Sequence, residues 1–157
     1  MYQKIVVPLD GSKLAECVLP HTRTLLKACD GSAEVLFVQA VKPLVIPYGR
    51  GETKVASMEQ LQAFGVHNKA DAEKYLKEIV TRFRKEDINA RAEIIYGRAA
   101  EALSDFIAQN NIDLVIMATH GRSGVSRWVW GSVADRLLSS VCAPIFLVRA
   151  PDCVPGL

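Results

Sequence analysis

Apolar residues fall into short continuous runs, separated by segments in which they recur at helical spacing. Lys4–Leu9 (KIVVPL) is β-branched and apolar, the pattern of a buried strand. Asp10-Gly11-Ser12 breaks it, and Ser12 is placed to cap a following helix. Ala15, Val18, Leu19, Thr22, Leu25, Leu26 and Cys29 then share one helical face, with Pro20 inside the pattern and expected to kink the helix or cost it stability. Glu34–Val41 (EVLFVQAV) reads as a second strand. Lys42–Val55, with Pro43, Pro47, Gly49 and Gly51, reads as a long loop of the kind that serves as a lid or binding segment. A helix is predicted from about Ser57 to Lys85, with Ala72, Tyr75, Leu76, Ile79, Val80 and Phe83 on one face and Gly65 interrupting its start. Ala90–Tyr96 is the third strand, Gly97-Arg98 a turn, and Ala99–Asn110 a helix with Leu103, Phe106 and Ile107 inward. Asp113–Thr119 is the fourth strand, Val133–Val141 a helix and Pro144–Val148 the fifth strand. Beyond these, the proline-bearing C-terminal residues are expected to fray.

Strict alternation of strand and helix predicts an α/β fold: a parallel sheet with helices on both faces, three layers deep and doubly wound. Ligands in such sheets bind outside the carboxyl ends of the strands, where the winding reverses. Two loops at strand ends carry distinctive residues, Asp10-Gly11-Ser12 and the glycine-bearing segment after the fourth strand, and they are expected to lie side by side. The 157 residues suit one domain, taken as residues 1–149 with a tail at 150–157.

Composition narrows the partners. Half the residues are apolar and 23% are charged, as in an ordinary globular domain. A net charge of +2 without a basic run argues against nucleic acid. No apolar run approaches the ~18 residues that span a membrane, and the N-terminus lacks a secretory pattern, so the expected location is cytoplasmic. Cys17, Cys29, Cys142 and Cys153 have no metal-site spacing; the first three fall at apolar-face positions and are expected to be buried thiols.

The chemistry concentrates in Ala118–Ser132 (ATHGRSGVSRWVWGS), between a buried strand and a helix N-terminus. Such a junction offers unpaired N–H groups and the positive end of a helix dipole to a phosphate. Gly121 and Gly124 permit close backbone approach, Gly131-Ser132 opens the helix, and Arg122 and Arg127 can add charge-assisted bonds. The same residues would equally serve as a plain helix cap and chain turns. The segment is neither a Walker loop, nor a dinucleotide fingerprint, nor a nucleophile elbow. His120 suits loop support better than proton transfer, because no carboxylate partner lies near it in sequence. His21 and His67 read as surface residues, Asp113 as fixing a turn, and Trp128 and Trp130 as covering the phosphates or an interface.

At these residues the chain resembles the ATP-binding universal stress proteins, from Met1 to about Arg149. Val7-Pro8-Leu9-Asp10-Gly11-Ser12 meets the family's V-P-x-D-x-S in full. The family's G-x-x-G, nine residues, G-[ST] appears as Ala118-Thr119-His120-Gly121, Arg122–Trp130 and Gly131-Ser132, with Ala118 in place of the first glycine. The resemblance implies an adenine nucleotide alpha hydrolase-like fold with strand order 3-2-1-4-5 and a homodimer through Pro144–Val148. It implies ATP as ligand, with Mg²⁺ held by phosphate oxygens and water. Asp10 would meet the nucleoside; Pro8, Leu9 and Ala40 would line the adenine pocket, Ala40 through its backbone. Met117 and Ala118 would flank the ribose. His120, Gly121, Arg122, Gly124, Gly131, Ser132 and Val133 would surround the phosphates. No nucleophile or general base is identifiable, which implies a nucleotide-dependent stress-response module with slow hydrolysis at most. The alternatives are an ATP-consuming enzyme of the same architecture (a weak ATPase or an adenylating enzyme) and a stress dimer without nucleotide.

Overall fold

In the computed structural model, residues 2–29, 32–41, 45–48, 52–55, 58–119 and 132–149 are described. The strands are β1 (Lys4–Pro8), β2 (Glu34–Val41), β3 (Val45–Tyr48), β4 (Glu52–Val55), β5 (Ala90–Tyr96), β6 (Leu114–Thr119) and β7 (Ile145–Arg149). The helices are α1 (Leu19–Ala28), α2 (Met58–Arg84), α3 (Ala99–Gln109) and α4 (Ser132–Ser140), with a 3₁₀ turn at Ala15–Val18 before α1. β5-β2-β1-β6-β7 form one parallel sheet. Counting only its own strands, the order is third-second-first-fourth-fifth, as the resemblance implied.

Side chains alternate across the sheet and so build two cores. Ile5, Val7, Val35, Phe37, Leu114 and Ile116 pack with Val18 and Leu26 on the α1 side and with Leu76, Ile79 and Phe83 of α2. Val6, Leu36, Val38, Val115 and Met117 pack with Leu103 and Ile107 of α3 and Ala134 and Leu137 of α4. Phe37 meets Phe83 edge-on at 4.8 Å between ring centroids, and Arg23 of α1 lies 4.7 Å over the same Phe83 ring. Arg23 is also paired with Glu86 at 2.9 Å, which ties α1 to the end of α2. Asp113 was expected to fix a turn; its carboxylate instead pins the start of β1 at the foot of the sheet, accepting the N–H groups of Gln3 (2.7 Å) and Lys4 (3.1 Å).

Four expectations about helices, loops and thiols are corrected. Pro20 neither kinks nor weakens its helix: the 3₁₀ turn ends at Val18, α1 starts at Leu19, and Pro20 sits in the first turn, where no intrahelical N–H is required. Lys42–Val55 is not all loop, because β3 and β4 form an antiparallel pair from Val45↔Val55 to Tyr48↔Glu52. Its prolines and glycines hid this pairing from a reading of the sequence, yet a two-stranded ribbon tolerates Pro47 at an edge. Cys142 is exposed rather than buried, since it lies just past the end of α4; Cys29 is buried and Cys17 half-buried. α2 runs unbroken through Gly65. Cys153, Trp128 and Trp130 lie outside the described residues.

Candidate functional site

Proline opens the site. Leu9 donates its N–H to the Val38 carbonyl at 2.8 Å, so odd-numbered residues of β1 turn their backbone groups to β2 and even-numbered ones to β6. Pro8 therefore stands where an N–H should face β6, and it has none. Accordingly, β1 pairs with β2 through five residues, Lys4 to Pro8, but with β6 only at Ile5↔Leu114 and Val6↔Val115. Past that point the two central strands part, at the place where the order of winding reverses.

The strands on either side of β1 run on beyond it. Glu34 donates to Gln3 and Val38 accepts from Leu9, so the even residues of β2, Ala40 included, aim their N–H and C=O toward β1. β1 has ended by then, and Ala40 is left facing the gap. Val115 donates to Pro144 on the β7 side, so Ala118 of β6 faces the gap from the other flank. A donor and an acceptor from each strand thus converge past the end of β1.

This gap is a cavity of about 220 Å³. Pro8, Leu9 and Asp10 form its floor, Val38 and Ala40 one wall, and Met117 and Ala118 the other. Ala99 and Leu103 of α3 and Ser132, Val133 and Ala134 of α4 close the top. Eight predicted site residues are therefore brought together: Pro8, Leu9, Asp10, Ala40, Met117, Ala118, Ser132 and Val133. His120, Gly121, Arg122, Gly124 and Gly131 lie outside the described residues. Sequence reasoning missed Leu14, Ala15, Val38, Ala99, Leu103 and Ala134 in the lining. Val38 was accessible from strand parity, two residues before Ala40. Ala99 and Leu103 were not, because only the packing of α3 brings them over the sheet.

The ends of the cavity differ electrically. Asp10 lies in a loop that bonds to itself: its Oδ1 accepts the Ser12 N–H at 2.9 Å, and Ser12 Oγ accepts the Ala15 N–H at 3.0 Å. That second bond holds the turn ahead of the 3₁₀ segment, so Ser12 does not cap α1 as expected: α1 begins at Leu19 with Val18 as its N-cap and no side-chain cap bond. Gly11 between Asp10 and Ser12 adopts φ +82°, which suits glycine. Opposite, α4 presents its first turn to the cavity, where a helix start has N–H groups without intrahelical partners and a partial positive charge. Arg136–Glu101 (3.1 Å) and Ser104–Ser140 (3.2 Å) join α4 to α3 above the cavity. Among the described residues no group of three or more His, Cys, Asp and Glu side chains could hold a metal. No helix described is long and apolar enough to cross a membrane.

The universal stress protein family model matches residues 1–149. Universal stress protein MJ0531 of Methanocaldococcus jannaschii is 27% identical over 151 residues, spanning 96% of this chain and 84% of that protein. A solved universal stress protein in complex with cAMP has a TM-score of 0.67 at 17% identity, over 95% of this chain and 98% of its own. A universal stress protein family protein from Arabidopsis thaliana with AMP bound has a TM-score of 0.66 at 14% identity, over 96% and 93%. At these identities the two structures speak for a shared fold.

Proposed function

Because this chain belongs to the universal stress protein family, we propose that it is an ATP-binding module whose cleft takes the nucleoside and whose glycine-bearing segment takes the phosphates. One observation carries the reading: the backbone groups of Ala40 and Ala118 face the gap past β1, among small apolar side chains. An adenine edge offers one donor and one acceptor, which matches such a pair. Asp10 at the floor suits the donor groups of the base amine and ribose and repels phosphate. The α4 start suits anions. The cAMP and AMP bound by the two structural relatives share the adenosine and phosphate that this polarity would sort.

On this reading Pro8, Leu9, Asp10, Ala40, Met117 and Ala118 hold the nucleoside. His120, Gly121, Arg122, Gly124, Gly131, Ser132 and Val133 hold the phosphates, and any Mg²⁺ is held by phosphate oxygens and water. The module works as a dimer in the cytoplasm, pairing through β7, and regulates a partner with slow hydrolysis at most. Calorimetry with Mg-ATP tests it. Wild type gives saturable heat, and Ser132→Ala weakens affinity about tenfold, as loss of a hydrogen bond to a charged group does. No heat with wild type would overturn the reading.

A further inference from the structure

Along β2 the odd-numbered side chains enter the core that packs against α2. Val35 and Phe37 are buried in it, and Gln39 is next in the row. There the row meets a hollow of about 500 Å³ between the sheet and α2. Gln39 and Val41 line it from β2, Asp71 and Ala72 from α2, and Gly11 from the loop after β1. The space is open at the loop, since a side chain built on Gly11 would meet nothing within 4 Å.

Buried polar atoms elsewhere are answered by charge or by a neighbour. Arg23 Nε pairs with Glu86 at 2.9 Å, Glu34 Oε1 with Arg91 at 2.7 Å, and the Tyr75 hydroxyl has the Glu16 side chain. Gln39 Oε1 is the exception among the described residues: it is buried, and no hydrogen-bond donor reaches it. An unanswered buried acceptor is costly, and a ligand that donates to it removes that cost. On the α2 side of the hollow, Asp71 is exposed and forms no ion pair among the described residues. Two acceptors, one of them charged, thus share a hollow that no described Lys or Arg lines. The Tyr75 phenol at its edge reports the sign of the field: burial first, then the Glu16 and Asp10 carboxylates, raise it above its usual range against the opposing Arg82.

These features select a cation with several N–H donors and an apolar stem. It must also shed water easily, because the Gln39 oxygen is buried. A guanidinium meets each demand: it is planar, carries its donors in a fixed fork and is more weakly hydrated than an ammonium. We propose that this hollow binds a guanidinium group, whose fork is shared between Gln39 Oε1 and the Asp71 carboxylate and whose stem lies along Val41 and Ala72. The site is separate from the nucleoside cleft and needs no nucleotide.

Ethylguanidinium is titrated into ¹⁵N-labelled wild type, Asp71→Asn and Gln39→Leu, with the Gly11 and Ala72 amide signals as reporters. Wild type should give saturable shifts at both. Asp71→Asn, a change at an exposed position, should weaken binding about tenfold, as loss of a charge-assisted bond does. Gln39→Leu should weaken it about fivefold or more and melt no lower than wild type, because it removes an unanswered acceptor. Ethylammonium, with equal charge on a more hydrated head, should bind about fivefold more weakly. Free arginine and an end-blocked Gly-Arg-Gly peptide separate the two sources of the group: tighter binding of the first assigns the hollow to a small molecule, of the second to a side chain of another polypeptide. No saturable shift with ethylguanidinium, unchanged affinity in either variant, a lower melting temperature in Gln39→Leu, or ethylammonium binding as tightly overturns the proposal. So does displacement of ethylguanidinium by adenosine, which would make the hollow part of the nucleoside cleft.

Discussion

Leu9 gives its N–H to the Val38 carbonyl at 2.8 Å, and that bond is the last rung joining β1 to β2. It sets the parity of the strand and so turns Pro8 toward β6. A proline at that one position ends the β1–β6 ladder and leaves a cavity at the centre of the sheet. The opening of the site is thus written into the backbone of β1, before any side chain is considered.

Pro8→Ala should restore the missing N–H within reach of the Ile116 carbonyl. The new hydrogen bond and the added freedom of the unfolded chain oppose each other, so stability should change by less than about 1 kcal/mol. The cleft should narrow and ATP affinity should fall several-fold. Amide exchange checks the cause: the N–H that the substitution introduces should be protected, and exchange at the rate of an open amide would refute the account.

Asp113→Ala should unpin the start of β1. Its carboxylate answers two backbone N–H groups, from Gln3 and Lys4, so the loss should be about 1–3 kcal/mol in urea denaturation. Nucleotide affinity should hold, since the bonds lie at the opposite end of the sheet from the cleft. A fall in affinity without a fall in stability would contradict this division.

Tyr75 should make stability pH-dependent on the alkaline side. Burial and the Glu16 and Asp10 carboxylates raise its pKa in the folded state. The folded protein therefore keeps a proton that the unfolded chain loses near pH ~10. The contribution is present in full below that pH and is lost as pH rises toward the folded value. Denaturation midpoints between neutrality and strong alkali should fall less steeply in Tyr75→Phe than in wild type. Parallel slopes would exclude the effect.

Phe146 lies on edge strand β7, packs at 6.2 Å from His21 between ring centroids, and is still 41% exposed. If β7 is the dimer seam, Phe146→Asp should convert the protein to monomer by burying an unpaired charge there. Sedimentation at matched concentrations decides it, and an unchanged sedimentation coefficient would remove β7 from the interface.

The division between sequence and tertiary structure follows interaction range. β2 and β5 were read to the residue, Glu34–Val41 and Ala90–Tyr96, because a continuous apolar run bounded by turn residues is a local pattern. Asp10 and Ser132 were legible as site residues for the same reason: strand ends and helix starts carry short-range signals. Pro20 was misread because its effect depends on where the helix begins, and the preceding 3₁₀ turn decides that. β3 and β4 escaped because their pairing partners are each other, not a pattern along either segment. Tertiary structure alone made the cleft. Pro8 marks a missing donor only once β6 is known to lie beside it. Ala40 and Ala118 acquire roles only when β1 stops between them. Tyr75 reads as one core residue among many until the packing of α2 sets it near Glu16 of the 3₁₀ turn. Hydrogen bonds act over a few ångströms, and residues far apart in sequence come within that distance only through the fold.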